Sequence, residues 1–187
     1  MGLAMPYGHL GFPRWPVCKN AYWRALMEEE KKPYPIVKAI AFALIAGFWV
    51  VFDQATKAMF SGQQPGGLLA GPFLGLIDIR LVHNTGGAWG ILSDNTMMLG
   101  VFSVVVCLAV ALFFFVSARQ MSWLQTIAFS LIVAGGVGNA IDRFAQGFVT
   151  DFIEFSFIDF PVFNVADIGV TCGFALVIIS MFATIRN

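Results

Sequence analysis

The chain has 187 residues, of which 58% are hydrophobic and only 12% charged, with a mean hydropathy of +0.79. That balance excludes an ordinary soluble domain and points to a membrane protein. Eleven basic and eleven acidic side chains cancel to zero net charge, so no broad basic surface is offered to nucleic acid, and the placement of charge carries the information.

Residues 1–34 combine Arg14, Lys19, Arg24, Lys31 and Lys32 with Glu28, Glu29 and Glu30, and contain no early apolar run. They make a poor signal peptide, and are expected to form a cytoplasmic N-terminal extension ahead of a membrane-embedded domain over 35–187. Within that domain four apolar stretches, 36–55, 97–116, 123–145 and 165–185, reach the length of about 20 residues that a helix needs to cross a bilayer. Lys31, Lys32 and Lys38 precede the first, Arg119 lies between the second and third, and Arg186 follows the fourth. By the positive-inside rule both termini and the Arg119 turn face the cytoplasm.

Two connections then fall on the outer side, 56–95 and 146–164. The first is rich in Gly and Pro between Gly62 and Gly75, which reads as turns. Ile77, Ile79 and Leu81 then alternate with Asp78 and Arg80, predicting a half-buried strand over 77–82. The second holds Phe152, Ile153, Phe155, Phe157, Ile158 and Phe160, a composition suited to the membrane interface. The expected fold is mainly α and polytopic, with four transmembrane helices and a small outer-face β platform. Cys18, Cys107 and Cys172 match neither a disulfide ladder nor a zinc pattern; Cys107 and Cys172 read as small buried hydrophobes.

The polar residues of these stretches gather toward one face. Asp151 and Asp167 lie sixteen positions apart, where the third span has just ended outward and the fourth is starting inward. Two carboxylates at one low-dielectric depth repel when both are ionised, so such a pair can share a proton and work as base and acid. Helix capping by Asp167 and a loop role for Asp151 are the plainer alternatives. Asn139, Asp142 and Arg143 sit near the end of the third span, with Asn139 on the same helical face as the other two. Either an Asp142–Arg143 polar brace or ligand binding explains them. Asp53 and Lys57 have i,i+4 spacing. Asn84, Gly86 and Gly87 beside Trp89 make a small-residue corner, either a structural turn or a point of close ligand approach. His83 has no matched partner for a metal. No HExxH, P-loop, dinucleotide glycine fingerprint or GxSxG elbow is present. A transporter using the acids as a proton or cation path, and a noncatalytic scaffold, are the rivals; a transporter would spread its acids through the membrane depth.

Five blocks resemble the bacterial lipoprotein signal peptidase family, also called signal peptidase II. They are Asp53-Gln54 with Lys57, Asn84-Thr85-Gly86-Gly87-Ala88-Trp89-Gly90, Gly138-Asn139-Ala140-Ile141-Asp142-Arg143, Gly147-Phe148-Val149-Thr150-Asp151-Phe152 and Pro161-Val162-Phe163-Asn164-Val165-Ala166-Asp167. Trp89 departs from the phenylalanine more usual there. The resemblance implies a membrane aspartic endopeptidase of the bacterial inner membrane that cleaves diacylglyceryl-modified prolipoproteins on the N-terminal side of the lipidated cysteine. It implies Asp151 and Asp167 as the catalytic pair, with Asp53, Lys57, Asn84, Gly86, Asn139, Asp142, Arg143 and Asn164 binding substrate or supporting the site. It further implies no metal or organic cofactor, membrane lipids and prolipoprotein as partners, no nucleic acid, and activity as a monomer.

Overall fold

A computed structural model describes residues 35–87 and 95–185, and every structural statement below concerns these; residues 1–34 and Trp89 lie outside them. The element order is α1 (Pro35–Ala58), β1 (Leu68–Phe73), β2 (Ile77–Asn84), α2 (Thr96–Ser117), α3 (Trp123–Gln146), β3 (Val149–Phe155) and α4 (Val165–Ile185). All four helices are long and apolar enough to span a membrane, as the hydropathy pattern predicts. Side chains such as Leu44, Phe48, Phe102, Leu108, Leu112 and Phe182 stand exposed around the bundle. So large an apolar surface is stable against lipid and not against water.

α3 is the central helix, packed against α1, α2 and α4. Its start is defined by a capping box: Ser122 Oγ accepts the Gln125 N–H at 3.1 Å, and Gln125 Oε1 accepts the Ser122 N–H at 2.7 Å. Its end is set by Gly147 at φ 79°, whose N–H closes on the Arg143 carbonyl at 3.2 Å. Glycine lets α4 come close. A Cβ at Gly135 would collide with the Ala166 carbonyl, and one at Gly173 would lie 2.7 Å from the Ala128 carbonyl.

The three strands form one antiparallel sheet in the order β1-β2-β3. β2 extends the predicted strand to Asn84 and pairs with β3 through Ile77↔Phe155, Val82↔Asp151 and Asn84↔Val149. Two parts of this sheet differ from the sequence reading. The glycine-rich segment contains turns, and also β1, an exposed edge strand with two register irregularities against β2. The aromatic stretch begins as β3; Phe155, Phe157, Phe160 and Phe163 then cluster at its end. Both strands pair with β2, and β3 also with Phe163, so local composition carries little trace of them.

At the end of the bundle away from the sheet, Phe42, Phe114, Ala118 and Met121 form a buried cluster, with Phe42 and Phe114 stacked at 4.5 Å. Lys38 is buried beside it and donates to the carbonyls of Ala118 (3.1 Å) and Met121. Those carbonyls lie at the end of α2 and in the turn beyond it, so the ammonium satisfies acceptors that the ending helix leaves open.

Candidate active site

The sheet end carries the polar residues. α1 runs through Ala58, about one turn beyond the predicted span, and keeps Asp53 and Lys57 on one helical face. Lys57 Nζ lies 2.9 Å from Asp53 Oδ2 and 3.1 Å from Asp142 Oδ2. The expected local pair is therefore a buried three-way cluster of one cation and two anions. Asp53 also accepts the Ala166 N–H at 2.9 Å, fastening α1 to the start of α4. Gly138 makes room: a Cβ there would lie 2.6 Å from Asp53 Oδ2.

Two residues missed by the functional reading complete the cluster. Gln54 Nε2 lies within donor reach of Asp53 Oδ2 (3.1 Å), Asp142 Oδ1 (3.0 Å) and the Gly138 carbonyl (3.2 Å). Thr150 donates its N–H to Asp142 Oδ2 at 3.0 Å. Both stand inside the sequence blocks already singled out, which was the available signal. With three carboxylate-facing donors, a group carrying more negative than positive charge is compensated by hydrogen bonds.

The proposed Asp142–Arg143 brace is not what forms. Neighbouring residues on a helix point about 100° apart, and here Asp142 turns to Lys57 while Arg143 Nη2 donates to the Gly86 carbonyl at 3.2 Å. Gly86 is thereby tied in twice, since its N–H also donates to Asn84 Oδ1 at 2.9 Å. Asn139 faces inward and shares Lys57 with Asp142. Its Oδ1 accepts from Lys57 Nζ at 2.9 Å, and its Nδ2 donates to Asp167 Oδ1 at 2.8 Å.

Asp151 and Asp167 come together, though not as two helix ends. Asp151 is on β3, and Asp167 is in the first turn of α4. Asn164 joins them: Nδ2 donates to Asp151 Oδ1 at 2.6 Å, and its backbone N–H donates to Asp167 Oδ2 at 3.1 Å. Asn164 Oδ1 in turn accepts the Asp167 N–H at 3.0 Å. The reciprocal bonds amount to a capping box at the start of α4. Asp167 thus caps its helix and lines the cavity as well. Asp151 Oδ2 accepts from Asn84 Nδ2 at 2.9 Å. Burial, and next the charge of Asp167, push the Asp151 carboxyl up from its ordinary 3.8 to about 7, against the opposing pull of the Asn84 and Asn164 amides.

Both carboxylates line one cavity of about 470 Å³, together with Asn84, Asn139 and Arg143. Most of the rest of its wall is apolar, including Phe155, Phe160, Phe163, Ile168 and Val170. Cys172 also lines it and is exposed, unlike the buried thiol expected; Cys107 alone of the two is buried. The reason is position: Cys172 lies five residues beyond Asp167 on the cavity side of α4. A second cavity of about 570 Å³, behind α3, is lined by Gln54, Lys57, Asp142, Gln146 and Thr150. There His83 stacks on Phe148 at 3.8 Å.

The chain as a whole is matched by known proteins. The family model described as Signal peptidase (SPase) II matches residues 45–183. Lipoprotein signal peptidases of Staphylococcus aureus strains JH9 and Newman are each 36% identical over 146 residues, covering 77% of this chain and 89% of the relative. Two bacterial membrane enzymes solved by the in meso method, at 2.3 and 1.9 Å, superpose with TM-scores of 0.69 and 0.67. Both are 35% identical, covering 76% and 75% of this chain and 88% and 92% of theirs. The chain belongs to the signal peptidase II family of lipoprotein signal peptidases.

Proposed function

We propose that the protein is an aspartic endopeptidase that removes the signal peptide from diacylglyceryl-modified prolipoproteins, cutting on the N-terminal side of the lipidated cysteine, with Asp151 and Asp167 as its catalytic pair. The observation that carries this reading is the single Asn164 side chain and backbone unit that holds both carboxylates at the head of an apolar cavity. One ionised carboxylate takes a proton from water, and the resulting hydroxide adds to the scissile carbonyl. The protonated partner supports the oxyanion, and a proton passes to the leaving nitrogen as the tetrahedral intermediate collapses. The two act as a coupled unit.

Asn84, Asn139 and Asn164 orient the pair, Arg143 and Gly86 border the substrate path, and Asp53, Lys57 and Asp142 brace α1 against α3. The apolar walls suit a peptide carrying acyl chains that arrives sideways from the bilayer. The reaction needs no metal or organic cofactor, and a monomer contains every named group. The basic flanks favour an inner-membrane orientation with both termini cytoplasmic and the site near the outer face.

The test is cleavage of a diacylglyceryl-modified prolipoprotein by the purified protein, with Asp151→Asn and Asp167→Asn in parallel. Turnover by the wild type and its loss in both folded variants is the expected result; turnover retained in either variant removes the pair from the mechanism. Thiol accessibility at single cysteines introduced near Asn84 and Arg119 should place them on opposite sides of the membrane.

A further inference from the structure

A carboxamide has a donor end and an acceptor end, so what touches its oxygen decides where its N–H groups point. At Asn139 the oxygen is met by donors: Lys57 Nζ at 2.9 Å and Asn164 Nδ2 at 3.0 Å. An ammonium offers no acceptor. A reversed Asn139 would therefore set N–H groups against Lys57, and the observed direction sends Nδ2 to Asp167 Oδ1. The other oxygen of Asp167 meets the Asn164 backbone N–H, a donor that cannot turn round. Neither contact accepts a carboxylic O–H.

Asp151 differs at one oxygen. Its Oδ1 meets Asn164 Nδ2, and Asn164 is itself held by the Asp167 N–H at Oδ1. Its Oδ2 meets Asn84 Nδ2, and the Asn84 oxygen is held by the Gly86 N–H two residues along. Asn84 sits at the end of β2, where reversal costs one contact within a turn. A proton on Asp151 Oδ2 can then be accepted.

We propose that Lys57 is a positioning residue for the peptidase reaction: by fixing the direction of the Asn139 carboxamide it keeps Asp167 an acceptor only, and so assigns Asp167 as the base and Asp151 as the proton-carrying partner. The inference rests on the Asp151/Asp167 reading and deepens it. Lys57 is suited to the task because Asp53 and Asp142 hold its ammonium from two sides. The charged groups around Asn139 and the pair are Asp53 and Lys57 from α1, Asp142 and Arg143 from α3, and the two aspartates themselves, from β3 and α4. α2 carries no Asp, Glu, Lys, Arg or His, and on β2 the nearest titratable ring, His83, is stacked on Phe148.

The experiment uses the full-length enzyme and a diacylglyceryl-modified prolipoprotein. Lys57→Met alone would strand two carboxylates, so it is combined with Asp142→Asn and, separately, with Asp53→Asn. Each combination is compared with its Asn single variant, and each is also made with Asn139→Leu. Thermal unfolding reports the fold. Loss of Lys57 should lower kcat about 100-fold with KM within about twofold, move the acid limb of the kcat profile to higher pH, and add nothing once Asn139 is leucine. Unchanged kcat, a loss confined to KM, or a full further loss in the Asn139→Leu background overturns the proposal. So does unfolding of both charge-matched variants, which would make Lys57 a structural residue. Turnover retained by Asp151→Asn or Asp167→Asn defeats the underlying dyad instead, and is read from those two variants alone.

Discussion

Helix α1 buries a lysine at each end, and the two differ in what surrounds them. Lys38 donates to main-chain carbonyls at the end of α2 and in the following turn. These two partners belong to the backbone and lie beside a cluster that includes Phe42 and Phe114. Lys57 meets two carboxylates and the oxygen of Asn139, whose other end meets Asp167. The same ammonium group closes a helix end in one place and connects to the candidate catalytic pair in the other. Burial of a charge therefore does not mark function by itself; the chemistry at the far side of its partners does.

The comparison can be broken most severely at the pair. Asp151→Asn and Asp167→Asn should each reduce kcat by about 10³-fold or more with the fold retained, measured by cleavage assay and by thermal unfolding in the same detergent. Gly138→Ala comes next, because its Cβ would fall 2.6 Å from Asp53 Oδ2 and push on the three-way cluster. Overpacking of this kind costs about 1–3 kcal/mol, and turnover should fall with it; unaltered turnover would mean that the cluster can shift without disturbing Asn139.

Lys38→Met sharpens the contrast from the other side. It should cost about 1–3 kcal/mol by leaving buried carbonyls short of a donor, lowering the unfolding midpoint with kcat kept. A fall in kcat at constant stability would show that the two ends communicate.

A further expected effect is a pH dependence. Asp151 binds its proton more tightly folded than unfolded, since its carboxyl is raised from 3.8 to about 7. Its contribution to stability is complete below about pH 3.8 and is lost as pH rises through about 7. The unfolding midpoint of Asp151→Asn should therefore decline less than that of the wild type between pH 4 and 7.5, and parallel declines would contradict the raised value.

The four spans were legible because length and hydropathy are local properties, and the helix limits fell within a few residues of expectation. So were the members of the polar cluster, since Asp53, Lys57, Asn84, Asn139, Asp142, Asn164 and both aspartates stand in recognisable blocks. Their partners were not. Asp142 and Arg143 are neighbours in the chain, and a helix sends them to different elements. Asp151 reads as a residue of the connection after the third span and is held on a strand by pairing with Val82. Cys172 looks like core and lines the cavity instead.

Hydropathy and length are enough to define a four-span membrane protein with its acids and amides toward the helix ends, because crossing a bilayer requires long apolar runs and drives polar groups out of them. Which amide meets which carboxylate depends on the packing of the elements. Hydrogen bonds depend on tenths of an ångström and on donor direction, and these are set between elements as far apart in the chain as Asp53 and Ala166. The direction of Asn139 is one such decision, made by a lysine 82 residues away.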